Sequence, residues 1–331
     1  MRAPAFWWRP AERPGLWPPL LTPVAAIWRL ASDRRQARAR PVRVGVPVIC
    51  VGNLVAGGAG KTPTAIAVVE HLRAAGRSPH IVTRGYGGTA VGPLAVTMES
   101  AAAVVGDEAP LLAAFAPTWV ARDRLAGAEA AIAAGADVIV LDDGLQNPGL
   151  AKDLSFAVVD AETGFGNGRL IPAGPLREPV MAGLGRVQHV LLVGSEAARV
   201  ACLRREPALA GRSILEAEIT PLATGMAWSG LRVVAFAGIG RPEKFFATLR
   251  QLGAELTATH ALGDHQRLAR PLLERLAREA AGRNAQLVTT EKDAARLPPD
   301  WRQRVLTLPV RLRLSPPDAL DPILKPLFLD I

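Results

Sequence analysis

Apolar positions along the chain fall into two patterns. Short continuous runs, rich in Val, Ile and Leu and often closed by Gly or Pro, recur at 46–52 (VPVICVG), 80–83, 119–121, 137–141 (DVIVL), 154–159 and 189–193. A run that is apolar on both faces reads as a strand buried inside a sheet. Between these runs lie stretches spaced as helices at 61–75, 107–115 and 124–134, the first stopped by Gly76 and the last by Gly135. This alternation predicts a mainly parallel sheet with helices on both faces. A second series follows, with a strand at 232–237, helices at 242–252 and 271–281, and a strand at 286–289. The Gly- and Pro-rich stretch 161–185 reads as loop. The expected class is α/β, a mainly parallel sheet flanked by helices with a smaller C-terminal α/β domain. The expected division is an N-terminal basic and aromatic segment over 1–43, a core domain over 44–225 and the smaller domain over 226–331.

Composition narrows the function classes. Of 331 residues, 49% are hydrophobic and 21% charged, which excludes global disorder. Two cysteines, Cys50 and Cys202, exclude a disulfide framework and a cysteine-rich zinc site, and fit a reducing compartment. The net charge of +9 is concentrated: residues 1–43 carry nine Arg and two acids, so the rest of the chain is nearly balanced. That distribution argues against nucleic acid as a partner, because no basic surface spreads over the body.

Four of the seven Trp, Trp7, Trp8, Trp17 and Trp28, also lie in this first segment. The uncharged run 14–28 is interrupted by Pro18, Pro19 and Pro23. It falls short of the roughly 20 apolar residues a spanning helix needs, and its prolines argue against a secretory signal. Trp followed by Arg29, Arg34, Arg35, Arg38, Arg40 and Arg43 suits the surface of an anionic membrane. A helix packed on the protein's own body with a solvated basic face is the other reading.

The most specific local signal is the stretch from Gly52 to Thr62, GNLVAGGAGKT, between a predicted buried strand and a predicted helix. This is the context of a phosphate-binding P-loop. The candidate nucleotide contacts are Val55, Ala56, Gly57, Gly58, Ala59, Gly60, Lys61 and Thr62. Glycines let backbone amides curl around phosphate oxygens, and the helix start adds partial positive charge. Lys61 is expected to reach the outer phosphates and the Thr62 hydroxyl to ligate Mg²⁺. The usual pattern has Gly where this chain has Val55, and the extra glycines Gly57 and Gly58 are expected to take its place. Gly238-Ile239-Gly240 lacks the third glycine of a dinucleotide fingerprint and reads as a tight turn.

Asp142 and Asp143 directly follow the DVIVL strand, where P-loop proteins hold Mg²⁺; a turn or helix cap is the alternative. Asp107 and Glu108 open a predicted helix. Asp107 reads either as an N-cap or as the proton acceptor that transfer to an alcohol requires. His265, beside Asp264, is either structural or an oriented base.

Taken together, these residues resemble the tetraacyldisaccharide 4'-kinase family. The resemblance runs in order through VGNLVAGGAGKTP, TRGYGG, VGDEAPLL, VARDR, LDDGLQN, PAGPLREP, AGIGRPEKFF, GDHQRL and TTEKDAARL. It implies a P-loop NTPase-like fold that transfers the γ-phosphate of ATP, with Mg²⁺, to the 4'-hydroxyl of an acylated glucosamine disaccharide 1-phosphate. The step would belong to lipid A synthesis at the cytoplasmic face of the bacterial inner membrane, with the protein peripheral. The resemblance also implies that Asp107 activates the sugar hydroxyl with His265 as its dyad partner. It places Asp142 and Asp143 near metal and phosphate. Arg84, Tyr86, Arg122, Gln146, Arg177 and Glu178 become polar site positions, and Lys292 and Asp293 a nucleotide-edge or domain-contact element. Asn147 stands where the family has His. The competing reading is a P-loop GTPase or metallochaperone-type nucleotide switch, for which Glu291-Lys292-Asp293 is a partial echo of a guanine-selecting stretch.

Overall fold

The computed structural model describes residues 3–10, 12–263 and 266–329. The first long element is α1 (Trp17–Arg38), which starts on Pro18 and Pro19. Proline at a helix start costs no hydrogen bond, because the first amides have no partner in any case. Pro23 lies inside and removes one donor from the ladder. The core series then runs β1 (Val48–Gly52), α2 (Lys61–Ala74), β2 (Pro79–Thr83), β3 (Leu94–Val96), α3 (Ala102–Val105), α4 (Ala109–Ala113), β4 (Thr118–Val120), α5 (Arg124–Ala133), β5 (Val138–Asp142), β6 (Leu154–Asp160), α6 (Val180–Leu184), β7 (His189–Val193), α7 (Glu196–Arg205) and β8 (Ile214–Pro221). The second series is β9 (Arg232–Ala237), α8 (Pro242–Gln251), β10 (Glu255–Ala261), α9 (Arg270–Gly282), β11 (Gln286–Thr290), α10 (Glu291–Ala295), α11 (Pro299–Arg302), β12 (Leu306–Leu308), β13 (Val310–Ser315) and α12 (Asp321–Leu324).

Among the described residues these strands form two sheets, one ordered β13-β8-β7-β6-β1-β5-β2-β4-β3 and one ordered β10-β9-β11-β12. From β8 to β4 every neighbouring pair is parallel, and only the edges β13 and β3 run antiparallel. The small sheet is parallel throughout. The α/β architecture is therefore the expected one. β1, β5 and β6 are buried end to end, which is why they read as unbroken apolar runs. Ile49, Ile139, Leu141 and Phe156 sit in the main core, each contributing about 1.5–3 kcal/mol through burial. One cluster beside the small sheet includes Phe236, Leu273, Leu276 and Trp301; another includes Trp228, Phe245, Phe246 and Leu249.

Several features differ from the sequence pattern. The helix expected over 107–115 is shortened to α4, and a further short helix, α3, precedes it and ends at Gly106, which takes a φ of +88°. Asp107 and Glu108 thus lie in the turn between them, and the α4 cap, Glu108, makes no side-chain capping bond. The stretch 161–185 contains α6. The expected boundary at 225/226 does not separate the two sheets: β13 returns and pairs antiparallel with β8, covering what would otherwise be an open edge.

The turn holding Asp107 is pressed against the loop after β2. A Cβ on Gly106 would lie 2.7 Å from the carbonyl carbon of Gly85 and from the oxygen of Tyr86. By contrast, Gly87 also has positive φ but open space around it. Gly106→Ala is expected to lower stability by about 2–4 kcal/mol, combining left-handed strain with backbone overlap. Gly87→Ala should cost about 1–2 kcal/mol from strain alone. Urea unfolding midpoints check this, and equal midpoints for the two variants would contradict the close approach.

Candidate active site

Strand order decides where chemistry can collect. β1 lies between β5 and β6, so the loops leaving the carboxyl ends of these strands converge. The loop after β1 ends at Gly60, whose left-handed φ of +91° turns the chain into α2. Nothing lies within 4 Å of where side chains on Gly57 and Gly58 would begin, so an anion can approach the backbone there. Lys61, the first residue of α2, donates to Oδ1 of buried Asn53 at 3.2 Å and lies 3.7 Å from Asp143. Asn53 in turn donates to the Gly57 carbonyl at 3.4 Å, tying the lysine to the loop it serves. Thr62 follows on the first turn of α2, half-buried.

Val55 does not leave a gap in this loop. It is buried and bridges Leu176, while the Ala56 amide donates to the Pro175 carbonyl at 2.7 Å and the Arg177 amide to the Leu54 carbonyl at 2.8 Å. A side chain is wanted there because the segment 175–177 packs on it. The open positions are Gly57 and Gly58, with Ala56 half-buried before them and Ala59 buried after them.

Asp142 ends β5, only 1% exposed, and accepts from the Thr83 hydroxyl at 3.2 Å through Oδ2. Its Oδ1 has no hydrogen-bond partner among the described residues. Burial, then the neighbouring charges of Glu108 and Asp143, push this carboxyl up to about 7. Asp143 behaves oppositely. Burial opposes its ionisation, but Lys61 and then Arg177 outweigh that and hold it below the usual carboxylate range. The Arg177 guanidinium donates to Asp143 at 2.7 Å. The unpartnered carboxylate oxygen of Asp142 and the hydroxyl of Thr62, at the start of α2, are oxygen donors of the kind Mg²⁺ takes, so the two residues fit that ion by their chemistry.

Gln146 ties the same network to the next segment, donating to the Asn53 carbonyl at 3.0 Å and to Glu178 at 2.9 Å, and accepting from Arg177 at 3.2 Å. Glu178 is buried and ion-paired with Arg186. Asn147 spends its side chain locally, accepting from the Gly149 amide at 3.0 Å. Arg84, Tyr86 and Arg122 are exposed on the loops after β2 and β4.

The small sheet supplies the opposite wall. Lys292 on α10 pairs with Glu108 at 2.9 Å. Burial opposes ionisation of Glu108, but Lys292 and then Lys61 dominate and keep it below its ordinary value. Asp293 is fully buried and accepts from the Gly238 amide at 2.9 Å and the Thr290 hydroxyl at 2.7 Å. Arg296 reaches Asp107 at 3.4 Å. On α8 and the turn before it, Arg241 and Lys244 meet Asp160 at 3.0 and 2.9 Å, at the carboxyl end of β6, and both pair with Glu162. His265 lies outside the described residues.

The structure thus gathers Lys61, Asp142, Asp143, Gln146, Arg177 and Glu178 on one side and sets Asp107 and Glu108 against Lys292 and Arg296. Sequence reasoning did not single out Arg296, Asn53, Arg241 or Arg124. Arg124 is buried, donates to the Ala121 carbonyl at 2.6 Å and feels the charges of Asp142 and Asp143. Both Arg124 and Arg296 lie inside the motifs VARDR and TTEKDAARL, which was the available signal.

The N-terminal segment packs against the same face. Trp28 donates to the Arg177 carbonyl and Trp7 to the Pro172 carbonyl, each at 3.0 Å. Leu16, Trp17, Leu20, Val24 and Ile27 remain exposed. Among the described residues no helix is long and apolar enough to cross a membrane.

The chain resembles known proteins along most of its length. The profile of the family described as Tetraacyldisaccharide-1-P 4'-kinase matches residues 17–328. A Tetraacyldisaccharide 4'-kinase of Dinoroseobacter shibae is 55% identical, covering 99% of this chain and 98% of its own. One from a Jannaschia species is 56% identical over 97% of each chain. A crystal structure of LpxK from Aquifex aeolicus in complex with ATP shares the fold with a TM-score of 0.76 at 23% identity, covering 95% of this chain and 100% of that one. With a match along most of its length and relatives more than half identical, the chain belongs to the tetraacyldisaccharide-1-P 4'-kinase family.

Proposed function

We propose that this protein is an ATP-dependent kinase that moves the terminal phosphate of ATP to the 4'-hydroxyl of an acylated glucosamine disaccharide 1-phosphate, producing the 4'-phosphorylated lipid A precursor. The observation that carries this reading is the position of Lys61, pinned by Asn53 and Asp143 beside a glycine loop whose outer face is open. Phosphoryl transfer needs positioning and charge neutralisation more than covalent chemistry. The loop amides and Lys61 bind the triphosphate, and Arg177 orients Asp143 beside them. Thr62 and Asp142, with Asp143 alongside, would hold Mg²⁺, which neutralises charge on the phosphate oxygens when bound. Asp107 accepts the proton of the sugar hydroxyl, with His265 as its assistant, and the exposed Arg84, Tyr86 and Arg122 line the acceptor side.

The nucleotide-switch reading is not favoured. Its guanine-selecting echo is otherwise engaged, since Asp293 is buried against Gly238 and Thr290 while Lys292 is paired with Glu108.

The acceptor is a lipid, and the exposed face of α1 offers a way to reach it. A cleft of about 590 Å³ lined by Arg34, Arg35, Arg38 and Arg40 beside Pro148 and Gly149 adds positive charge on the same segment. We read α1 as docking peripherally on the anionic cytoplasmic leaflet of the inner membrane. The packing of Trp7 and Trp28 against 172–177 would then couple that surface to the site.

Lys61→Ala and Asp107→Ala are each expected to lower kcat by about 10²–10³-fold. The assay is mass spectrometry of the lipid for one added phosphate; wild-type rates in either variant would remove that residue from its role.

Asp142→Asn should abolish transfer yet stabilise the protein at pH 8. The folded-state value of Asp142 is raised to about 7, so its contribution to stability is intact below about pH 4 and lost as pH rises through 7. Asn escapes that loss, with a gain on the order of 1–3 kcal/mol at pH 8 that shrinks toward pH 4. Thermal melts across pH check the sign.

Leu20→Glu with Ile27→Glu should weaken co-sedimentation with anionic phospholipid vesicles about tenfold or more while leaving nucleotide affinity unchanged. Unaltered sedimentation would assign α1 to packing alone.

A further inference from the structure

The acid read here as the proton acceptor, Asp107, stands on the large sheet's side of the site, yet Arg296 reaches it from the other side. Arg296 closes α10, which follows β11 of the small sheet. Its side chain is 5% exposed. It is held on its own side by an ion pair with fully buried Asp293 and by carbonyls, Gly238 and Gln266, each at 3.3 Å. Asp293 is itself fixed by the Gly238 amide and the Thr290 hydroxyl. A planar guanidinium gripped at several points has little rotational freedom left. Its Nη1 extends to Asp107 Oδ2 at 3.4 Å. One turn earlier on the same helix, Lys292 takes the adjacent acid, Glu108, at 2.9 Å.

Two consecutive acids on one unit are thus read by two cations, four positions apart, on the other. A tie meant only to hold the sheets together would be cheaper in apolar side chains. The Arg296 Nε is buried with no hydrogen-bond partner among the described residues, and burying an incompletely satisfied guanidinium costs stability. The contact to Asp107 is also longer than a tight charged hydrogen bond. A room for error is absent as well: a Cβ on Gly238 would lie 2.9 Å from Arg296 and 3.0 Å from Asp293, so the loop after β9 helps fix the guanidinium.

The geometry points to Arg296 as a positioning residue for the transfer step, setting the direction of the Asp107 carboxylate from the small sheet. The acceptor of the proton is then correctly aimed only while the two sheets are docked. This rests on the assignment of Asp107 as that acceptor.

The test is steady-state turnover of the full chain with Mg-ATP and the lipid acceptor, for wild type, Arg296→Gln and Arg296→Lys, each checked by thermal melting. Misaiming a reacting group by about 1 Å costs on the order of 100-fold in rate. Arg296→Gln is therefore expected to lower kcat by roughly 10–100-fold with KM for ATP within about twofold of wild type. Arg296→Lys keeps the charge but not the fork, and should recover part of that loss, to within about tenfold of wild type. If the Gln variant does not fold, the Lys variant is read alone, and a several-fold drop in kcat at constant KM supports the inference. Wild-type kcat in a folded variant, or a loss carried entirely by KM for ATP, overturns it. Absence of lipid phosphorylation by the wild-type protein overturns the kinase reading itself, a distinct result.

Discussion

The site depends on one constraint: several carboxylates must share a partly buried space at the carboxyl end of a parallel sheet. Asp142, Asp143 and Glu108 all feel one another there, and left alone they could not all ionise. Cations resolve the conflict unevenly. Lys61 and Arg177 claim Asp143, Lys292 claims Glu108, and Asp142 is left with the Thr83 hydroxyl and one oxygen unpartnered among the described residues. The result is one firmly ionised acid beside the glycine loop and one carboxylate poised for an added cation. That asymmetry follows from strand order, since β1 delivers Lys61 between the ends of β5 and β6.

The two sheets meet across charge rather than grease. Lys292 with Glu108, Arg296 with Asp107, and Arg241 and Lys244 with Asp160 and Glu162 span them, and each cation comes from the small-sheet series. A joint built on ion pairs is more polar than a core and fits the usual make-up of interfaces within a chain. Such a joint suits a site that must admit a triphosphate and a sugar hydroxyl from different directions. The N-terminal segment adds a third contact by gripping 172–177, the stretch that also carries Arg177.

How much of this was legible depended on whether the cause was local. β1, β5 and β7 are covered on both faces, so their runs announce them. GNLVAGGAGKT is contiguous, and its chemistry follows from its own spacing. The edge strands were silent for the opposite reason. β13, VRLRLS, earns its place by pairing with β8, and its Arg311 is satisfied by Glu291 far along the chain. The same holds for Val55, whose burial depends on Leu176, and for Arg296, whose meaning requires Asp107 to lie opposite. Pro18 and Pro19 read as breaks in the run because their place in the first turn of α1, where they are harmless, cannot be known until the start is known, whereas Pro23 lies inside the helix. The turn at Asp107 was hidden because Gly106 holds the chain against Gly85, a close approach that the sequence does not display.

The most direct measurement is calorimetric titration of Mg-ATP into the wild-type protein and into Lys61→Ala at equal salt. If the ammonium beside the glycine loop is what grips the triphosphate, the wild type gives saturable one-to-one binding and the variant loses affinity by at least about tenfold, as removal of a charged contact requires. Equal affinity in the two proteins, or no binding in the wild type, would contradict the account.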